Sequence, residues 1–262
     1  MRREPRRPRP PGEGLTPGTL YGGTSGFSYP DWAPRFFPAG TRASDRLRVY
    51  ATRLPAVELN ATFRRRPTTS AIDGWLAATP PEFRFVVKAQ RGSAVRGLLG
   101  DPAESVAWLT EPLARFGERL GAVLFRVPGE IRRGGPMFGG EPATSDASLL
   151  ALLAAWPPSI PLVIELQDPS WHVDETFDAL RAVGATMCAT ELPEDAAPPT
   201  IRRTSDRLYL RLRRDDYTPA EIAAWAARIR PFLEAGDDVY VFFRHDPVGR
   251  AGELALELLA AV

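Results

Sequence analysis

The sequence predicts an α/β fold, a single (β/α)8 TIM barrel over residues 19–262 behind an Arg/Pro-rich tail. Three observations carry this. The chain has 262 residues, close to the about 250 that one such barrel needs. Eight short apolar runs alternate with amphipathic stretches, the pattern of parallel strands joined by crossover helices. No second domain and no repeat of solenoid period is visible in the rest of the chain.

Residues 1–18 are Arg, Pro, Gly and Glu with almost nothing to bury, so they read as a disordered tail. Strands are expected at 20–24, 56–60, 83–88, 122–127, 161–166, 185–190, 207–213 and 238–243. Helical patterns lie near 43–53, 68–79, 102–117, 146–155, 174–183, 218–234 and 250–261. Ser44, Asp101-Pro102 and Thr218-Pro219-Ala220-Glu221 supply helix starts. The segment 191–206 is rich in Pro, Asp and Ala, so the sixth helix is expected to be short or missing. The Gly-rich loop 129–145 is expected to be mobile. A flavodoxin-like sheet would need only five strands, and neither G-x-G-x-x-G nor G-x-x-x-x-G-K occurs.

The net charge of +1 conceals an asymmetry. Arg2, Arg3, Arg6, Arg7 and Arg9 outweigh Glu4 and Glu13 in the tail, which leaves the body slightly acidic and unsuited to general polyanion binding. The one cysteine, Cys188, excludes a disulfide framework and a cysteine-built zinc site, and the two histidines, His172 and His245, exclude a histidine-rich metal cluster. No cofactor motif is present. No run approaches the about 18 apolar residues of a membrane span, and no signal-peptide core opens the chain, so a cytoplasmic protein without membrane partners is expected. Lys88 is the only lysine among 33 basic residues, which marks a position that a guanidinium does not fill.

The strand-end motifs resemble those of a known family. Gly23-Thr24-Ser25-Gly26-Phe27-Ser28-Tyr29 followed by Trp32 looks like the opening signature of the YecE-like domain of unknown function 72. Val57-Glu58-Leu59-Asn60-Ala61-Thr62-Phe63 is similar to its second-strand motif, Phe83-Arg84-Phe85 with Lys88 to its third, Leu120-Gly121 through Phe125 and Pro128 to its fourth, and Glu165 with Pro169-Ser170-Trp171 to its fifth. The resemblance runs over residues 20–262 and implies a TIM barrel, with little about a reaction. Against the family pattern, Arg126 replaces a glutamine, Gln167-Asp168 an Arg-His pair, Arg213 a histidine, and Arg244-His245 an asparagine pair. The departures mark a divergent subgroup with a different ligand.

Period-two alternation sorts each strand into an inward and a helix-facing set. It turns Glu58, Asn60, Lys88, Arg126, Glu165, Gln167, Tyr209, Arg211, Arg213 and Arg244 into the barrel, mostly at C-terminal strand ends where barrel enzymes build their sites. The bland alternative is a buried ion lattice that merely fills the mouth, with Glu58 and Lys88 as one structural pair. Two carboxylates facing five cations suit a carboxylate- or phosphate-bearing ligand and disfavour a divalent metal. Trp32 and Trp171 either stack on a ligand ring or anchor rim loops. Cys188 reads as an inert core thiol, His172 as a loop residue, and His245 as the proton-transfer candidate.

The expected function is binding of a small anionic molecule at the mouth, as in a metal-independent hydrolase or lyase. Glu58 or Glu165 would act as acid or base, Lys88 as electrostatic stabiliser or Schiff-base nucleophile, and Asn60 and Gln167 as orienting groups. The alternative is a binding module for a nucleotide or a short single-stranded nucleic acid without catalysis, its arginines gripping phosphate. A third reading is a catalytically inert barrel that serves as a partner scaffold.

Overall fold

A computed structural model describes residues 16–99, 102–135, 144–195 and 197–262. Eight parallel strands close in chain order: β1 Leu20–Ser25, β2 Ala56–Leu59, β3 Arg84–Lys88, β4 Leu120–Val127, β5 Leu162–Leu166, β6 Thr186–Glu191, β7 Arg207–Leu212 and β8 Asp238–Phe243, with β8 pairing back onto β1. Around them lie α1 Arg46–Ala51, α2 Ala61–Arg64, α3 Thr69–Ala77, α4 Arg91–Leu99, α5 Pro102–Thr110, α6 Ser145–Ala155, α7 Asp174–Val183, α8 Pro219–Glu234 and α9 Arg250–Ala261. Among the described residues no helix joins β6 to β7, as the broken composition of 191–206 implied. No helix there is long and apolar enough to cross a membrane.

Most expected elements appear within two residues of their places, and the departures have local causes. The pattern at 102–117 is not one helix: α5 stops at Thr110, Pro112 follows, and the 3-10 segment Glu111–Arg119 turns at Gly117, whose φ is +55°. The sequence shows no helical period for α4, because Gly92, Ser93 and Gly97 dilute its apolar pattern. Helix α1 starts at Arg46 behind Asp45 rather than on a Ser44 cap. Thr218 and Glu221 do form a reciprocal capping box on α8. The tail through residue 15, the Asp101 cap and loop residues 136–143 lie outside the described residues.

Two apolar layers follow from the pleat. Tyr21, Ala56, Val86, Ala122, Leu124, Val163, Cys188, Tyr209, Tyr240 and Phe242 fill the barrel. Their strand neighbours, such as Val57, Phe85, Val123, Ile164, Leu210 and Val241, pack under the helices in a separate cluster. At the N-terminal end the Tyr21 and Tyr240 rings stack with centroids 4.7 Å apart. Gly121 makes room for them, since a Cβ there would stand 2.8 Å from the Tyr240 ring.

The closing helix is fixed to the first loop. Asp246 accepts hydrogen bonds from the backbone N–H groups of Val248, Arg250 and Ala251 at 2.7, 3.0 and 2.6 Å. Its own carbonyl accepts one from the Trp32 indole at 2.8 Å. Phe36 lies flat against α9 at Gly252, where a Cβ would come within 2.3 Å of the ring. Gly252→Ala raises helix propensity by about 1 kcal/mol, yet overpacking against the buried ring should make the protein about 1–3 kcal/mol less stable. Denaturant unfolding checks this: the midpoint should fall with an unchanged slope, and a rise would show that the ring yields.

Candidate functional site

The alternation that places Ala56, Val86, Leu124, Val163, Cys188 and Tyr209 inside places Glu58, Lys88, Arg126, Glu165, Thr190 and Arg211 one pleat higher, at the C-terminal mouth. Arg211 is the hub. Its Nη1 donates to Glu165 Oε1 and Oε2 at 2.8 and 3.0 Å, and its Nη2 donates to Glu58 Oε1 at 3.2 Å. Its Nε lies 3.2 Å from Glu58 Oε2 as an ion-pair contact without hydrogen-bond geometry.

Both carboxylates are saturated. Glu58 accepts from the Ser25 and Tyr209 hydroxyls at 2.5 and 2.7 Å and pairs with Lys88 Nζ at 2.8 Å. Glu165 accepts from the Thr190 hydroxyl at 2.7 Å and from Arg126 Nε. Burial alone would raise the Glu58 carboxyl, but the Arg211 and Lys88 charges outweigh it and hold the group well below the usual carboxylate range. Glu165 is lowered in the same way, burial being overcome by Arg211 and Arg126. Burial would lower Arg211, yet Glu58 and Glu165 raise it further above its already high range.

Around this lattice the cations are less settled. Lys88 also donates to Asn60 Oδ1, while Asn60 Nδ2 donates to the Ser25 carbonyl at 2.7 Å and to the Tyr29 hydroxyl at 3.0 Å. Asn60 therefore positions Lys88. Burial lowers the Lys88 ammonium, and Glu58 only partly restores it. Arg213 is half-buried and lowered by burial and by the Arg211 charge. Among the described residues its guanidinium makes no hydrogen bond or ion pair; only its backbone N–H is engaged, to the Glu191 carbonyl at 3.1 Å. His245 stacks on Tyr29 with ring centroids 4.9 Å apart and planes 3° from parallel. Burial, then Lys88, Arg244 and Arg213, lower its pKa.

The structure thus joins Lys88, Glu58, Arg211, Glu165 and Arg126 in one chain of ion pairs. It corrects three expectations. Arg244 does not turn inward: β8 ends at Phe243, the alternation lapses, and the exposed guanidinium reaches Asp215 at 3.6 Å. Trp32 and Trp171 present no face to a ligand, being 0% and 1% exposed. Each is a loop anchor, Trp32 on Asp246 and Trp171 through its indole N–H on the Ile131 carbonyl at 2.7 Å. Gln167 is exposed at the β5 end and lines the space that also holds Arg126. Ser25 and Thr190 join the site unforeseen, although the same alternation points them inward, and the inward Tyr209 proves to be a partner of Glu58.

Arg211→Met should cost about 3–5 kcal/mol, because it leaves two buried carboxylates short of their shared cation. Lys88→Met should cost no more than about 2 kcal/mol, since Glu58 keeps Arg211, Ser25 and Tyr209. Because both carboxyls are lowered in the folded state, the stability they add is fully present above about pH 4.3 and is lost as the pH falls below it. Thermal melts of both variants and of the parent from pH 7 to pH 3 check the ranking and the sign.

A sequence model of the family described as protein of unknown function DUF72 matches residues 21–262. The UPF0759 protein YunF of Bacillus subtilis (strain 168) is 22% identical, over 92% of this chain and 94% of that protein. A DUF72 family protein of Thermotoga maritima MSB8 superimposes with a TM-score of 0.75 at 26% identity, over 92% of this chain and 98% of its own. One from Enterococcus faecalis V583 gives 0.75 at 20% identity, over 93% and 95%. With a family match over nearly the whole barrel and neighbours that share its closed architecture, this chain belongs to the DUF72 family.

Proposed function

We propose that the barrel mouth binds a small molecule bearing a phosphate or carboxylate, gripped by Arg213 with Lys88 and Arg126 beside it. The observation that carries this reading is Arg213 itself. A guanidinium cannot shed its proton at ordinary pH, and this one is half-buried with no ion pair of its own among the described residues. The two carboxylates whose charges reach it, Glu165 and Glu58, are engaged by Arg211, Lys88 and Arg126. A bound oxyanion supplies the missing charge with fork geometry.

Saturated, ionised carboxylates make poor proton carriers, so Glu58 and Glu165 serve to hold the cations in place. His245 is the group left for acid–base work: its lowered pKa keeps the imidazole neutral near pH 7, ready to accept a proton from water or from a carbon beside a bound anion. Hydrolysis or elimination without a metal is the reaction class that such a base admits. The alternative of a nucleic-acid module loses its stacking platforms, because Trp32 and Trp171 are buried.

Sulfate, whose charge is constant over the range, is the probe. Calorimetric titration at matched ionic strength should show Arg213→Gln weakening sulfate at least tenfold, about 1.4 kcal/mol. Affinity should rise as the pH falls through the range below 6.5, where His245 gains its charge, and His245→Gln should flatten that rise. Unchanged affinity in Arg213→Gln would overturn the reading.

A further inference from the structure

A second space opens where the barrel lacks its sixth helix. Strands β5 and β6 pair only at Val163–Thr186 and Ile164–Met187, whereas β4 and β5 stay in register to Arg126–Glu165 and Val127–Leu166. Beyond Ile164 the two strands part. No helix covers the opening, because residues 192–206 carry neither helix nor strand where they are described. What remains is a hollow of about 490 Å³, within the range of small-molecule sites.

Its walls differ from those of the mouth. Leu166, Pro169, Met187, Ala189 and Leu192 give the hollow an apolar stretch, with Leu192 38% exposed at its edge, while Asp195, Thr200 and Arg202 lie on its solvent side. Glu165 and Thr190 lie on its inner wall, and both belong to the mouth lattice, with Thr190 donating to Glu165 at 2.7 Å. Gln167 lines this hollow and also the neighbouring space that holds Arg126 and Phe63. Gln167 is thus common to the walls of both spaces, at the C-terminal end of β5.

We infer that the hollow between β5 and β6 receives the apolar body of the ligand whose anionic group sits at the mouth, so that the ligand is an amphipathic anion, an aryl or alkyl phosphate or carboxylate, rather than a sugar phosphate. This rests on the anion reading of the mouth. The occupant follows from adjacency: apart from Asp195, Thr200 and Arg202 at its solvent side, the hollow is lined mostly by apolar groups, and it ends on Glu165, the carboxylate that fixes two mouth cations, so one molecule reaches both without burying an unpaired charge. Gln167, between the two spaces, offers an amide to the joint of head and body. It acts as a specificity-determining group.

Three probes separate the parts on the full chain: inorganic phosphate for the mouth, 1-naphthol for the hollow, and 1-naphthyl phosphate for both. Ala197, exposed on the hollow's outer wall, is the place to block it, since Ala197→Trp puts a ring over the opening without entering the core. Ligand-observed NMR and calorimetry should find 1-naphthol bound by the parent and lost in Ala197→Trp. 1-Naphthyl phosphate should bind at least tenfold tighter than phosphate in the parent, and only as tightly as phosphate in the variant. Absence of 1-naphthol binding, or an advantage of 1-naphthyl phosphate that survives Ala197→Trp, overturns the inference. Loss of phosphate binding alone, with 1-naphthol still held, instead overturns the mouth reading.

Discussion

A guanidinium that cannot lose its proton obliges the fold around it to supply anions, and Arg211, 2% exposed, sets that obligation for the whole mouth. The demand is met by Glu58 from β2 and Glu165 from β5, strands on different sides of the barrel, so one side chain ties the closed sheet across its interior. Each carboxylate then needs its remaining lone pairs satisfied. Ser25, Tyr209 and Thr190 supply hydroxyls from β1, β7 and β6. Lys88 and Arg126 complete the set from β3 and β4. Seven of the eight strands thus commit a polar side chain to one network.

That commitment decides which groups are left for chemistry. Carboxylates with every oxygen engaged, held ionised by neighbouring cations, stabilise charge and orient side chains; they have no spare proton traffic. The cations outnumber them. The excess gathers at Arg213, whose guanidinium has no hydrogen-bond or ion-pair partner among the described residues, and at Lys88, whose ammonium burial disfavours. His245 overlooks both from a loop that Asp246 caps and Trp32 anchors.

Strand identity and facing were readable because parallel barrel strands are buried on both sides, and the sequence therefore alternates bulk against the helices with polarity at the inner C-terminal ends. Glu58, Lys88, Arg126, Glu165 and Arg211 were all legible by that rule. It failed where a strand stops: Arg244, one residue past Phe243, still donates its N–H to the Leu212 carbonyl at 2.8 Å, but its side chain turns out to Asp215. Side-chain type left Trp32 and Trp171 open between stacking and anchoring, since an indole's capacity to stack says nothing about whether a loop will bury it. The parting of β5 from β6 was invisible, because register between strands is a tertiary property that neither strand's own sequence encodes. The weak period of α4 hid a real helix whose stability comes from packing on its neighbours α5 and α6.

The most direct measurement is a crystal structure of the full chain soaked in sulfate at pH 6. Sulfate density within hydrogen-bonding distance of the Arg213 guanidinium, with Arg211 still bridging Glu58 and Glu165, is the predicted result. A structure in which Arg213 instead pairs with a carboxylate of its own chain, and the mouth holds no sulfate, would contradict it.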